Sequence, residues 1–151
     1  MKVALYSESA RAHVKAARAF ISEHGYRSTA DDMRQCRQDL MSLSDGSLAK
    51  EVTRSEDFFT LSECRDLLFH VQEHRLTLPQ ISAFLAGHAL QFLGFELPPR
   101  ALAQFRSRFP RDQSMIDLAC WHVFELKNPN TFVGMYQFWL QKRRGAAPAA
   151  Q

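Results

Sequence analysis

The sequence lacks the short motifs that mark several common enzyme and metal-binding classes. Its three cysteines are widely spaced and form no C-x-x-C pair, so they predict neither a disulfide framework nor a cysteine zinc site. It has only six glycines, and none falls in a G-x-G-x-x-G, a G-x-x-x-x-G-K or a G-x-S-x-G motif. These 151 residues therefore carry neither of the usual phosphate-binding loops and no nucleophile elbow.

Long apolar runs and an excess of one charge are also missing. No segment approaches the roughly twenty apolar residues that span a bilayer, and the first residues do not have the layout of a signal peptide. Together with the unpaired cysteines, this favours a reducing cytoplasm and no membrane contact. The 19 basic and 16 acidic residues are spread along the chain, which argues against a dedicated nucleic-acid-binding arm.

What the sequence does contain is enough apolar material for a core. The hydrophobic fraction is 46%, with 12 phenylalanines, in a chain of the usual size for one domain. We therefore expect a single domain over residues 1–142. The final residues, 143–151, are rich in alanine and predict a disordered tail.

Hydrophobic periodicity and capping residues predict an α+β domain that is mostly helical. The predicted helices begin after Ser9, after Thr29, near Thr60 or Ser62, at Leu78, at Arg100 and at Asp112. The predicted strands are MKVALY, LQFLGFEL ending near Leu97, and GMYQFWLQK.

Three details of these elements are specific enough to check. Thr77 and Gln80 have the spacing of a capping box, with Pro79 in the first turn. The last strand is apolar on both alternating sets, which predicts burial on both faces. The helix over 112–126 is expected to bury one stripe, consisting of Met115, Leu118, Ala119, His122 and Leu126.

The one pattern typical of a metal site is H-x-x-E-H, formed by His70, Glu73 and His74. On a helix, the two imidazoles and the carboxylate would hold zinc and activate water, as in zinc peptidases. Such a site needs a third ligand from elsewhere and a helix that continues, whereas Thr77 starts a new helix just afterwards. We favour a polar loop whose side chains bond locally, and we expect no metal.

The first predicted helix has a basic stripe made of Arg11, Lys15 and Arg18. Such a stripe can contact phosphates. A solvated helix face is the commoner explanation, and it is the one that we expect.

Three segments resemble the C-terminal half of bacterial class I S-adenosylmethionine-dependent methyltransferases, particularly those that carry tetratricopeptide repeats. These segments are MKVALYSESAR, ECRDLLFHVQEHRLTLPQISAFLAGHALQFLGFELP and NPNTFVGMYQFWLQK. The resemblance implies that the three predicted strands are the fifth, sixth and seventh of a Rossmann-like sheet. They would form a small three-stranded mixed sheet in which the last strand returns antiparallel between the other two.

The chain departs from that family in the part that binds the methyl donor. The family holds S-adenosylmethionine with a glycine-rich turn after its first strand and an acidic residue ending its second, and neither is present here. The resemblance thus implies a module with no cofactor of its own, inactive alone: a non-catalytic fragment, a remnant or a partner subunit. It would arise as a short protein, a truncated gene product or an excised piece. The alternative is a small hydrolase or metal-dependent enzyme that uses His70, Glu73 and His74.

The resemblance also suggests a substrate-side cleft without assigning catalytic residues. Its expected rim consists of Tyr6, Ser7, Glu8, Arg11, His70, Glu73 and His74. A purely structural interpretation stays open, in which Arg11 forms an ion pair with Glu8 or Glu73. The open edge of MKVALY predicts a partner, either a second copy in a homodimer or the missing N-terminal methyltransferase half.

Overall fold

A computed structural model describes residues 1–70 and 73–143 of the chain. The fold is α+β, as predicted, and its strands form one mixed sheet. The described residues pack into two compact units, one made of Met1–Ala10 with residues 74–143, and the other of the described residues within Arg11–Glu73. The single domain over 1–142 stays a prediction beside these two units, and residues 144–151 of the expected tail lie outside the described ranges.

The first unit contains a four-stranded sheet and three helices. Its strands occur in the order β2 (Arg75–Leu76), β1 (Lys2–Ser7), β4 (Tyr136–Lys142) and β3 (Leu90–Phe95). Strands β1 and β2 are parallel, and β4 is antiparallel to both β1 and β3. The terminal strand β4 therefore lies between β1 and β3, as expected. The elements are β1 Lys2–Ser7, β2 Arg75–Leu76, α4 Leu78–Gly87, β3 Leu90–Phe95, α5 Pro99–Arg108, α6 Leu118–Lys127 and β4 Tyr136–Lys142.

An aromatic core joins the sheet to these helices. Trp121 of α6 stacks on Phe105 of α5 with ring centroids 3.7 Å apart, and Phe95 of β3 meets the indole edge-on. The indole N–H donates to the Met115 carbonyl at 2.9 Å, so the buried Trp121 leaves no polar atom unsatisfied. Such packing accounts for much of the phenylalanine content of the sequence.

The second unit is helical and has its own core. Thr29 caps α2 by accepting a hydrogen bond from the Asp32 N–H, and Thr60 caps α3 in the same way through Glu63. The last turn after α3 widens into a π-helix over Arg65–Phe69. The elements are α1 Ala12–His24, α2 Ala30–Ser42, short 3₁₀ turns at Lys50–Arg54 and Glu56–Phe58, and α3 Leu61–Cys64.

Two predictions about the sheet were wrong. The sheet has four strands rather than three, because the two-residue β2 is too short to produce a periodic pattern. Strand β4 buries Tyr136, Phe138 and Leu140 but exposes the alternate positions, so it is not covered on both faces. Trp139 is 48% exposed.

The ends of two helices also differ from the predictions. Ser9 does not cap α1; instead, Ser7 accepts the Ala10 N–H at 3.0 Å in the turn that precedes the helix. Helix α6 begins only at Leu118, because the Asp117 side chain caps it by accepting from the N–H groups of Ala119 and Cys120. The buried stripe of α6 is rotated from the predicted one and contains Leu118, Trp121, Phe124 and Glu125, whereas Leu126 is 63% exposed.

Among the helices in the described ranges, none is both long enough and apolar enough to cross a membrane.

Candidate functional site

Glu73 is the centre of a largely buried ion-pair cluster in the second unit. Arg11 Nε lies 2.6 Å from Glu73 Oε1, and Arg18 Nη1 lies 2.9 Å from Oε2. Arg18 also donates to the Leu67 carbonyl at 2.8 Å, which ties α1 to the turn after α3. Only 5% of the Glu73 side chain is exposed. The expected ion pair between Arg11 and Glu73 is therefore confirmed.

The same cluster corrects the interpretation of the basic stripe on α1. Arg11 and Arg18 are mostly covered, with 14% and 20% of their side chains exposed, whereas Lys15 is exposed as expected. A helical sequence pattern shows which side chains share a face, but it cannot show that a distant carboxylate covers that face.

The members of the predicted cleft in the first unit have two different environments. Glu8 follows the carboxyl end of β1 and pairs with Arg75 of β2, with Nε and Oε2 3.0 Å apart. The Glu8 N–H donates to the Leu76 carbonyl, which extends the parallel pairing by one residue. Tyr6 is half-buried, whereas Ser7 is completely buried and does not lie on a rim as expected.

The histidines of the H-x-x-E-H motif do not lie on a continuing helix. The π-helix ends at Phe69, and both His70 and His74 are exposed. Within residues 1–70 and 73–143, no three histidine, cysteine, aspartate or glutamate side chains come together in a way that could hold a metal ion. Since both Glu73 oxygens face guanidinium groups, this carboxylate is arranged as a counter-ion rather than as a general base.

A buried hydrogen-bond network in the first unit joins β1, α6 and β4. Ser7 Oγ donates to Glu125 Oε1 at 2.6 Å, and the Tyr136 hydroxyl lies 2.7 and 2.8 Å from the two carboxylate oxygens. The three side chains are at most 1% exposed. Every polar group of this network has a partner, as a buried carboxylate requires.

The chemistry of this network is that of a structural link. Burial raises the pKa of the Tyr136 phenol far above its ordinary value, and the hydrogen bond to Glu125 raises it further. The phenol is thus a neutral hydrogen-bond donor at neutral pH. Because Ser7 has no contact with solvent, its hydroxyl is in no position to attack a substrate.

Sequence reasoning missed four of the residues that make these contacts: Arg18 as an ion-pair partner, Arg75, Glu125 and Tyr136. One signal was available for Glu125, which follows Leu118 and Trp121 at intervals of seven and four residues and so falls on the same helical face. A glutamate in phase with two large apolar residues indicates a buried carboxylate. Arg75 gave no such signal, because its ion pair with Glu8 forms only when the short strand β2 pairs with β1.

The sequence matches no protein-family model and no curated protein. Function therefore has to be inferred from the geometry of the described residues.

Proposed function

We propose that these residues form the carboxyl-terminal module of a class I S-adenosylmethionine-dependent methyltransferase fold. In this proposal the module works beside a donor-binding half, whichever chain carries that half, and does not bind the methyl donor itself. The observation that supports it best is the strand order β1-β4-β3, with the last strand antiparallel between two strands that are parallel to each other.

A second observation agrees with the same proposal. The helix before β3 begins with a complete capping box, in which Thr77 accepts from the Gln80 backbone and Gln80 accepts from the Thr77 N–H. It matches the T-x-x-Q helix that precedes the sixth strand in the family that the sequence resembles. Fold likeness alone is a weak guide to activity, so the proposal needs a binding test.

The module would contribute the acceptor side of the cleft. In open α/β sheets, ligands bind just beyond the carboxyl ends of the strands. At the carboxyl end of β1, the Glu8–Arg75 pair presents a carboxylate and a guanidinium that are each about a quarter to a third exposed. These groups can orient a polar acceptor by hydrogen bonds, whereas the covered Ser7 supports the turn after β1 by accepting from the Ala10 N–H.

The outer edge of β1 is the expected contact with the donor-binding half. Strand β2 pairs only with Tyr6 and Ser7, and no other described strand pairs with this edge. Since the Glu8 N–H points to β2 and alternate residues point the same way, the N–H of Ala4 faces the open part of the edge. Without a donor half, a second copy of the chain can pair there instead.

Isothermal titration with S-adenosylmethionine tests the absence of a donor site. The chain alone should show no saturable binding. Saturable binding by the chain alone would contradict the proposal that a separate half binds the methyl donor.

The variant Ala4→Pro tests the edge. It removes the outward N–H and should abolish co-purification with a co-expressed donor-binding half of this methyltransferase type, as well as any dimer seen by light scattering. Ala4→Ser keeps the N–H and serves as the matched control. If the wild-type chain captures no donor half, or if both variants capture it equally, the module proposal loses its support.

The alternative of a hydrolase or metal enzyme that uses His70, Glu73 and His74 has no observation in its favour, because Glu73 is paired with Arg11 and Arg18.

A further inference from the structure

An open groove lies between α5 and α6 of the first unit, and its lining includes no residue of β1. Its volume is about 840 Å³. Helix α5 contributes residues spaced by three, four, seven and eight positions, which is one continuous face of a helix. These residues are Arg100, Ala103, Gln104, Ser107 and Arg108, and α6 adds Val123, Phe124, Lys127 and Asn128.

The charge of this groove is entirely positive. Its lining includes Arg100, Arg108 and Lys127 and no acidic residue. In the described part of the chain, none of these three side chains takes part in an ion pair or a hydrogen bond. Two other cations of the same unit have such partners, since Lys2 pairs with Glu96 and Arg75 pairs with Glu8. The groove lining thus brings three cations together without an anion, and Arg108 also lines a neighbouring cavity that contains Asp112 and Asp117.

The sequence around α5 is also rich in basic residues, although charge is spread evenly over the chain as a whole. Residues 99–111 contain four arginines and no aspartate or glutamate. Two of them, Arg100 and Arg108, lie at the two ends of the groove face, about 12 Å apart along the helix axis. Between them, the exposed Ala103 and Ser107 are small enough to leave room for a ligand.

The groove also has an exposed apolar position. Val123 on α6 is 43% exposed, and the neighbouring Phe124 is buried, so no aromatic ring is presented for stacking. Single-stranded nucleic acids bind on exposed aromatic platforms, and nucleic-acid-binding domains usually carry a larger net charge than the +3 of this chain. A ligand with both carboxylates and apolar side chains matches the lining better than a phosphate backbone does.

We propose that the α5–α6 groove binds an acidic segment of a partner polypeptide. Carboxylates of that segment pair with Lys127 and with Arg100 and Arg108, whose planar guanidinium groups can each donate two parallel hydrogen bonds to one carboxylate. An apolar side chain between the carboxylates covers Val123. The surface is separate from the outer edge of β1, so this proposal stands independently of the methyltransferase-like assignment.

Fluorescence anisotropy with a short labelled peptide that alternates glutamate with leucine tests the proposal. The full chain should bind this probe saturably, with an affinity that falls as salt is added. A peptide with glutamine in place of every glutamate should not bind. The absence of saturable binding of the glutamate peptide at low salt would overturn the proposal.

A charge-matched pair of triple variants shows whether binding is local to the groove. R100Q/R108Q/K127Q should weaken binding by about tenfold or more, since three exposed pairs of about 0.5 kcal/mol each are lost. R106Q/R111Q/K142Q removes the same charge from exposed positions outside the groove and should change affinity by less than about twofold. Circular dichroism checks that both variants fold, and equal losses in both would overturn the assignment to the groove.

Two further outcomes would replace the peptide with another occupant. If a labelled DNA duplex binds more tightly than the acidic peptide and loses affinity in the groove variant, the ligand is a phosphate backbone. If sedimentation shows a dimer that the groove variant alone disrupts, a second copy of the chain occupies the groove. Either result would contradict an acidic partner segment.

Discussion

At the scale of single residues, Glu73 has a different role in the folded chain from the one that its sequence motif suggests. The H-x-x-E-H pattern makes Glu73 the candidate base of a zinc site, but Arg11 and Arg18 both use its carboxylate as their counter-ion. A base must be able to reach a proton on a substrate, and this carboxylate is almost completely covered. Its contribution is therefore expected in stability.

The variant Glu73→Gln tests this role. It removes the charge that two mostly covered guanidinium groups share, and the free energy of unfolding should fall by about 2–4 kcal/mol. Urea denaturation followed by circular dichroism measures the change. Glu23→Gln, at an exposed position on α1, should change stability by less than about 0.5 kcal/mol. Equal stability of the two variants would show that the cluster does not hold the second unit together.

Tyr136 carries a comparable prediction for the first unit. Tyr136→Phe keeps the ring in the core but removes the donor that reaches both oxygens of the buried Glu125. We expect unfolding to become easier by about 1–3 kcal/mol. Thermal and urea unfolding measure it. In a double-mutant cycle, Ser7→Ala and Tyr136→Phe should be non-additive, because both hydroxyls donate to one carboxylate. Strict additivity would contradict a single coupled network.

At the scale of the elements, the ends of helices follow from local chemistry. Gly25 ends α1 in a left-handed conformation with φ +70°, and the Tyr26 N–H donates to the Ile21 carbonyl. Helix α6 has the same kind of local logic, but two competing caps occur there. The Asp112 carboxylate accepts from the Ile116 and Asp117 N–H groups and so stabilises a turn instead of a helix. Helix α6 therefore begins after the second cap, Asp117.

Gly25→Ala isolates the cost of that left-handed position. A Cβ at residue 25 would meet no atom within 4 Å, so only the backbone conformation opposes alanine. The free energy of unfolding should fall by about 1 kcal/mol. Gly46→Ala is the matched control, since its Cβ also meets nothing and its φ is not left-handed. It should leave stability unchanged or raise it by up to about 1 kcal/mol. Equal losses in both variants would refute the explanation.

At the scale of the whole molecule, the three cysteines share one property. Burial raises the pKa of the Cys36 thiol to about 12, and burial is also the main cause of the raised pKa values of Cys64 and Cys120. Thiolates are the reactive form, so the folded protein should react slowly with alkylating reagents. Mass spectrometry after iodoacetamide treatment at neutral pH, with and without denaturant, checks this. Rapid native labelling of Cys36 or Cys64 would contradict it.

The raised pKa of Cys36 makes the free energy of unfolding depend on pH in the alkaline range. Below about pH 8.5 the Cys36 thiol keeps its proton in both states, whereas between about pH 8.5 and 12 only the folded state keeps it. The stabilisation is thus complete below the unfolded pKa and is lost as pH rises toward the folded pKa. In Cys36→Ala, the fall of unfolding free energy above about pH 9 should be shallower, by up to about 1.4 kcal/mol per pH unit. Parallel curves would contradict the assignment to Cys36.

The sequence by itself determined the elements whose signals are local. Thr29, Thr60 and Thr77 cap helices where their side chains reach a backbone N–H a few residues on, and this geometry needs no tertiary partner. The three longer strands and the central place of β4 were predicted, and the ion pair of Arg11 with Glu73 was one of two named alternatives.

Tertiary structure alone decided which faces are covered and which charges meet. The sequence places Tyr136, Phe138 and Leu140 on one side of β4 and Gln137 and Trp139 on the other, and only the first side is buried, so Trp139 stays exposed. Arg18 and Glu73 are 55 residues apart in sequence, and Ser7 and Glu125 are 118 apart. Contacts over such distances depend on how elements pack, because helical and strand periodicity relate only near neighbours along the chain.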